Sequence, residues 1–149
     1  MYQKVAWSAI IVVVLLLLAL MQFVRVNQPK PSGEEKTQPL YTSKGPLVNG
    51  PVTIQPRDFF SKHLNLNRRL RLTGTFRTAN LRSRVSTLVI SAQHLQPWKL
   101  GSDHPFLART GYVPGGKVNL VLEAGTYVLL IDNREGDENQ SVDVDFHLE

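Results

Sequence analysis

Two different spacings of apolar residues divide this chain. Between Val5 and Val24 lies an uncharged run, VAWSAIIVVVLLLLALMQFV, in which only Ser8 and Gln22 are polar. From Leu47 onward the apolar positions recur at every second residue, the spacing of a strand with one buried face. At a rise of about 1.5 Å per residue the first run makes a helix roughly 30 Å long, which matches the hydrocarbon core of a bilayer. A helix satisfies its own backbone amides, so lipid can surround it. Trp7 and Phe23 fall at headgroup depth, and Lys4 and Arg25 stand just outside. The run exceeds the roughly 7–15 apolar residues of a signal peptide, and no small-x-small cleavage site follows it. An uncleaved transmembrane helix over residues 1–26 is therefore expected, with residues 5–24 in contact with lipid.

Residues 27–46 read NQPKPSGEEKTQPLYTSKGP, and their four prolines and two glycines predict a semi-extended tether. Beyond them, residues 69–77 (RLRLTGTFR) place Leu70, Leu72 and Phe76 on one face and Arg69, Arg71, Thr73, Thr75 and Arg77 on the other. Gly74 interrupts the apolar row, as a glycine does at a bulge or beside a close neighbouring backbone. Residues 85–92 put Leu88, Ile90 and Ala92 on one face, and residues 117–122 alternate Val118, Leu120 and Leu122 with Lys117, Asn119 and Val121. Residues 127–131 (YVLLI) are apolar on both faces and predict a central strand covered from two sides. The cleanest alternation closes the sequence, with Val142, Val144, Phe146 and Leu148 set against Asp143, Asp145, His147 and Glu149. Residues 58–66 fit a strand or a helical turn. Short strands punctuated by Gly, Pro, Asn and Asp clusters predict an all-β antiparallel sandwich over residues 47–149.

The segment VNLVLEAGTYVLLIDNREGDENQSVDVDFHLE resembles the closing half of the jelly-roll-like β-sandwiches of bacterial pre-peptidase C-terminal domains. An apolar strand (118–122), the turn Gly125-Thr126-Tyr127, a buried strand ending at Asn133, a loop and a final alternating strand (142–148) follow that family's order. The resemblance implies a non-catalytic, extracytoplasmic module.

Among 149 residues there is no cysteine, which excludes disulfides and thiolate metal sites. The 17 basic and 12 acidic side chains give a net charge of +5, but their distribution says more than their sum. Residues 57–84 carry eight basic side chains (Arg57, Lys62, Arg68, Arg69, Arg71, Arg77, Arg82, Arg84) against Asp58, whereas residues 123–149 carry eight acidic ones against Arg134. Residues 47–149 together hold twelve basic and ten acidic residues, a net of only +2, and no nucleic-acid motif accompanies them. Nucleic acid is not an expected partner. If residues 69–77 and 141–149 are neighbouring strands, their outer faces can form Arg–Asp pairs worth about 0.2–1 kcal/mol each. The alternative is a free basic face that meets anionic headgroups or an acidic protein surface.

Candidate chemistry is sparse. The histidines His63, His94, His104 and His147 lack metal-ligand spacing, and Pro114-Gly115-Gly116-Lys117 lacks the first glycine and the Ser/Thr of a phosphate loop. No nucleophile elbow is present, so neither an enzyme nor a cofactor is expected. Residues 132–139 (DNREGDEN) offer oxygen ligands for Ca²⁺ in Asp132, Glu135, Asp137 and Asn139, although a solvated hairpin tip explains the same residues. Trp98, on a proline-flanked loop, is either a partner anchor or a cover over the end of the sandwich. Lys and Arg counts near the span leave its orientation almost even, with a slight lean to a cytoplasmic domain. The family resemblance tips the expectation to a periplasmic domain on a single-pass inner-membrane protein. The expected role is a non-catalytic accessory subunit docking on a larger membrane complex, with Arg69, Arg71, Arg77, Arg82, Arg84 and Trp98 as contact residues. The alternatives are a glycan or peptidoglycan module using Trp98, Tyr112 and the loop around Asp103, and the calcium loop. A small-molecule ligand is otherwise not expected.

Overall fold

A computed structural model describes residues 40–41 and 44–149. The apolar run at residues 5–24 and the tether up to residue 39 lie outside the described residues. Among the described residues no helix is long and apolar enough to cross a membrane.

Strands β1 (Leu40–Tyr41), β2 (Gly45–Ile54), β3 (Phe59–Leu66), β4 (Leu70–Thr78), β5 (Val85–Ser91), β6 (Ala108–Val113), β7 (Gly115–Leu122), β8 (Gly125–Asp132) and β9 (Gln140–Leu148) follow one another, and a 3₁₀ turn and helix α1 (Leu95–Lys99) lie between β5 and β6. They form two sheets, ordered β1-β3-β8-β5-β6 and β2-β9-β4-β7. The antiparallel pairs β2–β9, β3–β8, β4–β7 and β5–β6 nest inside one another. The chain is thus one long hairpin wound into two sheets, the jelly-roll arrangement. Among the described strands only β1 pairs in parallel, setting Leu40 beside Asn65 and Tyr41 beside Leu66.

The expected alternation of β9 is realised in full: Val142, Val144, Phe146 and Leu148 are buried, and they meet Leu70, Leu72 and Phe76 of β4 and Leu64, Leu129 and Ile131 of the opposite sheet. Burial of each such side chain contributes about 1.5–3 kcal/mol. Strand β8 is central and buried on both faces, as its YVLLI run requires. Strand β5 beside it is buried likewise. Leu88 and Ile90 do not face the opposite sheet but turn outward with Val128 and Leu130, beneath Trp98 of α1. Their alternates Val85 and Val89 fill the space between the sheets. A period of two assigns residues to faces without saying which face is the interior; the helix laid across the outside makes both so.

One open reading is decided and one boundary differs from the sequence expectation. Residues 58–66 resolve into a strand, β3, in which Leu64 and Leu66 point into the core. The tether ends before residue 46, because Leu40–Tyr41 and Gly45–Pro46 are already paired in the sheets. Pro46 and Pro51 are tolerated because β2 is an edge strand, where a missing amide hydrogen leaves no neighbour unserved. Gly74 sits opposite Phe146 with no break in register, so it marks a close neighbour and not a bulge.

Candidate functional site

Two connections meet at one end of the sandwich. The first, residues 79–84 between β4 and β5, is held by Thr78, whose hydroxyl lies 2.8, 2.9 and 3.2 Å from the carbonyls of Asn80, Pro114 and Ser83. The Asn80 side chain accepts the amide of Arg82 at 3.0 Å, the local bond of an Asx turn. So braced, the loop projects Leu81, which is 80% exposed, between the exposed Arg82 and the Asn80 turn. The second connection, residues 133–139 between β8 and β9, is organised around Asn133, which is fully buried. Its Nδ2 donates to the carbonyls of Gln55 and Glu138, both at 2.9 Å, and its amide donates to Asp58.

Between these loops lies a groove of about 630 Å³. Arg82 and Arg84 line one side, Glu135, Asp137 and Glu138 the other, and Tyr112 and Gln140 also face it. Asp137 pairs with Arg57. Arg82, Arg84, Glu135 and Glu138 enter no ion pair among the described residues. The Oε1 of Gln140, a residue only 7% exposed, accepts no hydrogen bond. The split of charge along the sequence therefore becomes two facing walls at one end of the fold.

Behind the groove is a polar cluster. The Tyr112 hydroxyl donates to Asp132 Oδ2 at 2.9 Å, and Arg134 Nε donates to Asp132 Oδ1 at 3.0 Å. The Arg134 guanidinium lies 3.7 Å from the Trp98 ring centroid and donates to the Trp98 carbonyl. Burial, reinforced by the Asp132 carboxylate, holds the Tyr112 phenol well above the usual tyrosine range. The stabilisation linked to this raised value is complete below the ordinary tyrosine pKa of about 10 and is lost as pH rises through the folded value. We expect the Tyr112 ring carbon shifts, followed by NMR, to stay those of the phenol past about pH 10, where a free tyrosine ionises. Asp132→Asn should lower the transition, and ionisation of Tyr112 in the ordinary range would refute this assignment.

Three of the nominated contact residues lie elsewhere. Strands β4 and β9 are neighbours as expected, with Arg77 opposite Asp143, and Arg71 and Glu149 exchanging backbone hydrogen bonds. The side chains pair differently. The Glu149 carboxylate takes hydrogen bonds from His147 (3.1 Å) and Thr73 (3.2 Å), and chiefly the first holds its pKa below the usual carboxylate range. Arg69 bridges to Glu123 at 3.3 Å, and Arg77 and Asp143 form no ion pair. Arg69, Arg71 and Arg77 thus form an exposed row on the polar face of the four-stranded sheet, away from the groove.

Trp98 is corrected outright. It is 2% exposed, edge-on to Phe59 at 4.8 Å and roofed by Arg134, so it is core cover and offers no face to a partner or a sugar. Tyr112, Ser102 and His104 do share a second cavity with it, of about 200 Å³, but the stacking platform the glycan alternative requires is not presented there. The calcium set does not converge either. Asp132 is engaged by Arg134 and Tyr112, Asp137 by Arg57, and among the described residues no three His, Asp or Glu side chains gather as a cation would need.

No family model and no curated protein matches the sequence. Solved structures do. The chain is similar to the mitogen derived from Yersinia pseudotuberculosis (14% identity, TM-score 0.47, 71% of this chain and 86% of that one). It is similar also to the pre-peptidase C-terminal domain of a collagenase from Bacillus anthracis (15%, 0.37, 70% and 87%). A third is PliG of Aeromonas hydrophila, a periplasmic inhibitor of g-type lysozyme (11%, 0.38, 74% and 96%). The family that the closing segment resembles is therefore among the solved structures similar to this chain.

Gln140 is not among the candidate residues read from the sequence. It shares the parity of Val142, Val144, Phe146 and Leu148, so a polar residue at the head of an inward-facing row was the available signal.

Proposed function

We propose that this protein is a non-catalytic accessory subunit, anchored in the inner membrane by residues 5–24, whose periplasmic sandwich docks on and stabilises a larger membrane complex. The observation that carries the reading is the groove with facing basic and acidic walls, in which Arg82, Arg84, Glu135 and Glu138 have no ion-pair partner among the described residues. Charges displayed in this way cost solvation to bury against the domain itself, but they steer and register a complementary protein surface. The exposed Leu81, next to Arg82 in the same loop, adds an apolar contact. The surface row of Arg69, Arg71 and Arg77 supplies a weaker, salt-screened attraction.

The test is extraction of native membranes with a mild detergent, comparing the full chain with its Arg82→Glu/Arg84→Glu variant. The wild-type chain is expected to migrate with other chains at a size well above its own. The variant should run alone while keeping its melting temperature. Migration of the wild-type chain by itself would overturn the docking role.

A further inference from the structure

We infer that the groove at the β4–β5 and β8–β9 end is a peptide-binding site, selective for an extended segment that carries a basic and an acidic side chain around an exposed backbone amide. This rests on the docking role proposed above and names the chemistry of what docks. Three independent features of the cavity point to it.

The first is the opposition of charge. A polyanion, whether nucleic acid or a phosphorylated surface, would meet Glu135 and Glu138 as well as the arginines. A metal cation or a polycation would meet Arg82 and Arg84, and among the described residues no acidic trio converges to hold an ion. Like-charge juxtaposition is a strong penalty at an interface, so each single-sign ligand is rejected by one wall. A ligand with both signs satisfies both.

The second feature is Gln140. Its Oε1 is a buried acceptor without a donor, and its residue is 7% exposed and lines the groove. A buried acceptor left open is costly, and a small rotation of the Gln140 side chain into the groove it lines would let a ligand N–H relieve it. Backbone amides supply that donor at every residue of an extended peptide. The third is size: about 630 Å³ lies within the roughly 300–1,000 Å³ that ligand pockets occupy, room for a few residues and not for a folded element. The walls are also preorganised, since Thr78 and Asn80 brace one loop and Asn133 the other. Less conformational freedom is then lost on binding.

The test uses the full chain in detergent micelles and three end-blocked peptides: acetyl-Lys-Ala-Glu-amide, acetyl-Lys-Ala-Lys-amide and acetyl-Glu-Ala-Glu-amide. Binding is followed through the Gln140 side-chain amide by NMR. The mixed peptide should bind at least tenfold tighter than either single-sign peptide and should shift the Gln140 resonances first. Gln140→Leu should weaken the mixed peptide. The Arg82→Glu/Arg84→Glu variant, which changes only exposed side chains, should lose that preference and bind the lysine peptide tightest. Equal binding of the three peptides, or a preference unchanged by charge reversal, overturns the assignment, and the charge-reversal arm decides even if the Gln140 variant fails to fold. Peptide selectivity in a chain that co-purifies with nothing would leave the site standing and remove the docking role. Co-purification without any peptide preference would do the reverse.

Discussion

Replacing Gly74 by alanine should destabilise the sandwich towards the upper end of the roughly 1–3 kcal/mol that overpacking a filled core costs. A Cβ built on Gly74 would stand 2.3 Å from the carbonyl oxygen of Asp145, 2.4 Å from Phe146 Cδ1 and 2.7 Å from Phe146 Cα. Two of these three atoms are backbone, in the strand hydrogen-bonded to β4, so no rotamer change relieves them. The Phe146 ring occupies the space a side chain at position 74 would take, and Phe146 is fully buried. Urea titration should show a lower midpoint at an unchanged slope. Adding Phe146→Leu should recover part of the loss relative to the sum of the single changes, since it clears the ring contact and leaves the carbonyl contact in place. A Gly74→Ala midpoint equal to wild type would show that β4 and β9 are not packed as described.

Trp98→Ala should cost more, about 3–5 kcal/mol, the range for deleting a large buried aromatic. Against a typical total stability of about 5–15 kcal/mol, that leaves many domains marginal. The indole closes the outer face of the five-stranded sheet over Leu88, Ile90, Val128 and Leu130, meets Phe59 edge-on, and carries the Arg134 guanidinium. Without it water reaches the nearly buried Asp132, and the cluster behind the groove loses its support. Trp98→Phe should lose less, because a ring remains under Arg134. The measurement is again a denaturant titration. A loss below about 1 kcal/mol, within reach of an ordinary surface change, would return Trp98 to the surface and reopen its use as a partner anchor.

These two residues show how a site can depend on parts that never touch its ligand. Gly74 lets β9 lie close against β4, and β9 begins at Gln140, inside the groove. Trp98 supports Arg134, which fixes Asp132 and through it Tyr112, another residue of the groove. The charged walls themselves are exposed and should tolerate substitution with little effect on stability. Stability and binding can therefore be separated experimentally in this domain.

The sequence by itself determined the class of fold. Strict alternation in residues 142–148 and the doubly apolar YVLLI run admit little but a two-faced strand and a central one, because side chains on a pleated backbone must point to alternate sides. It also showed that opposite charges are gathered in separate segments, and that Gly74 stands where an apolar side chain belongs. Only the tertiary structure decided what those features do. The nested strand order brings residues 79–84 against residues 133–139 although about fifty positions separate them, and no local pattern encodes a meeting at that distance. The same winding lays α1 over the outside of β5 and β8, which buries Trp98 and turns Leu88 and Ile90 away from the principal core. Whether a polar residue such as Gln140 ends in solvent or facing a cavity is set by what the rest of the chain packs around it, a property of the assembled sheets and not of any one strand.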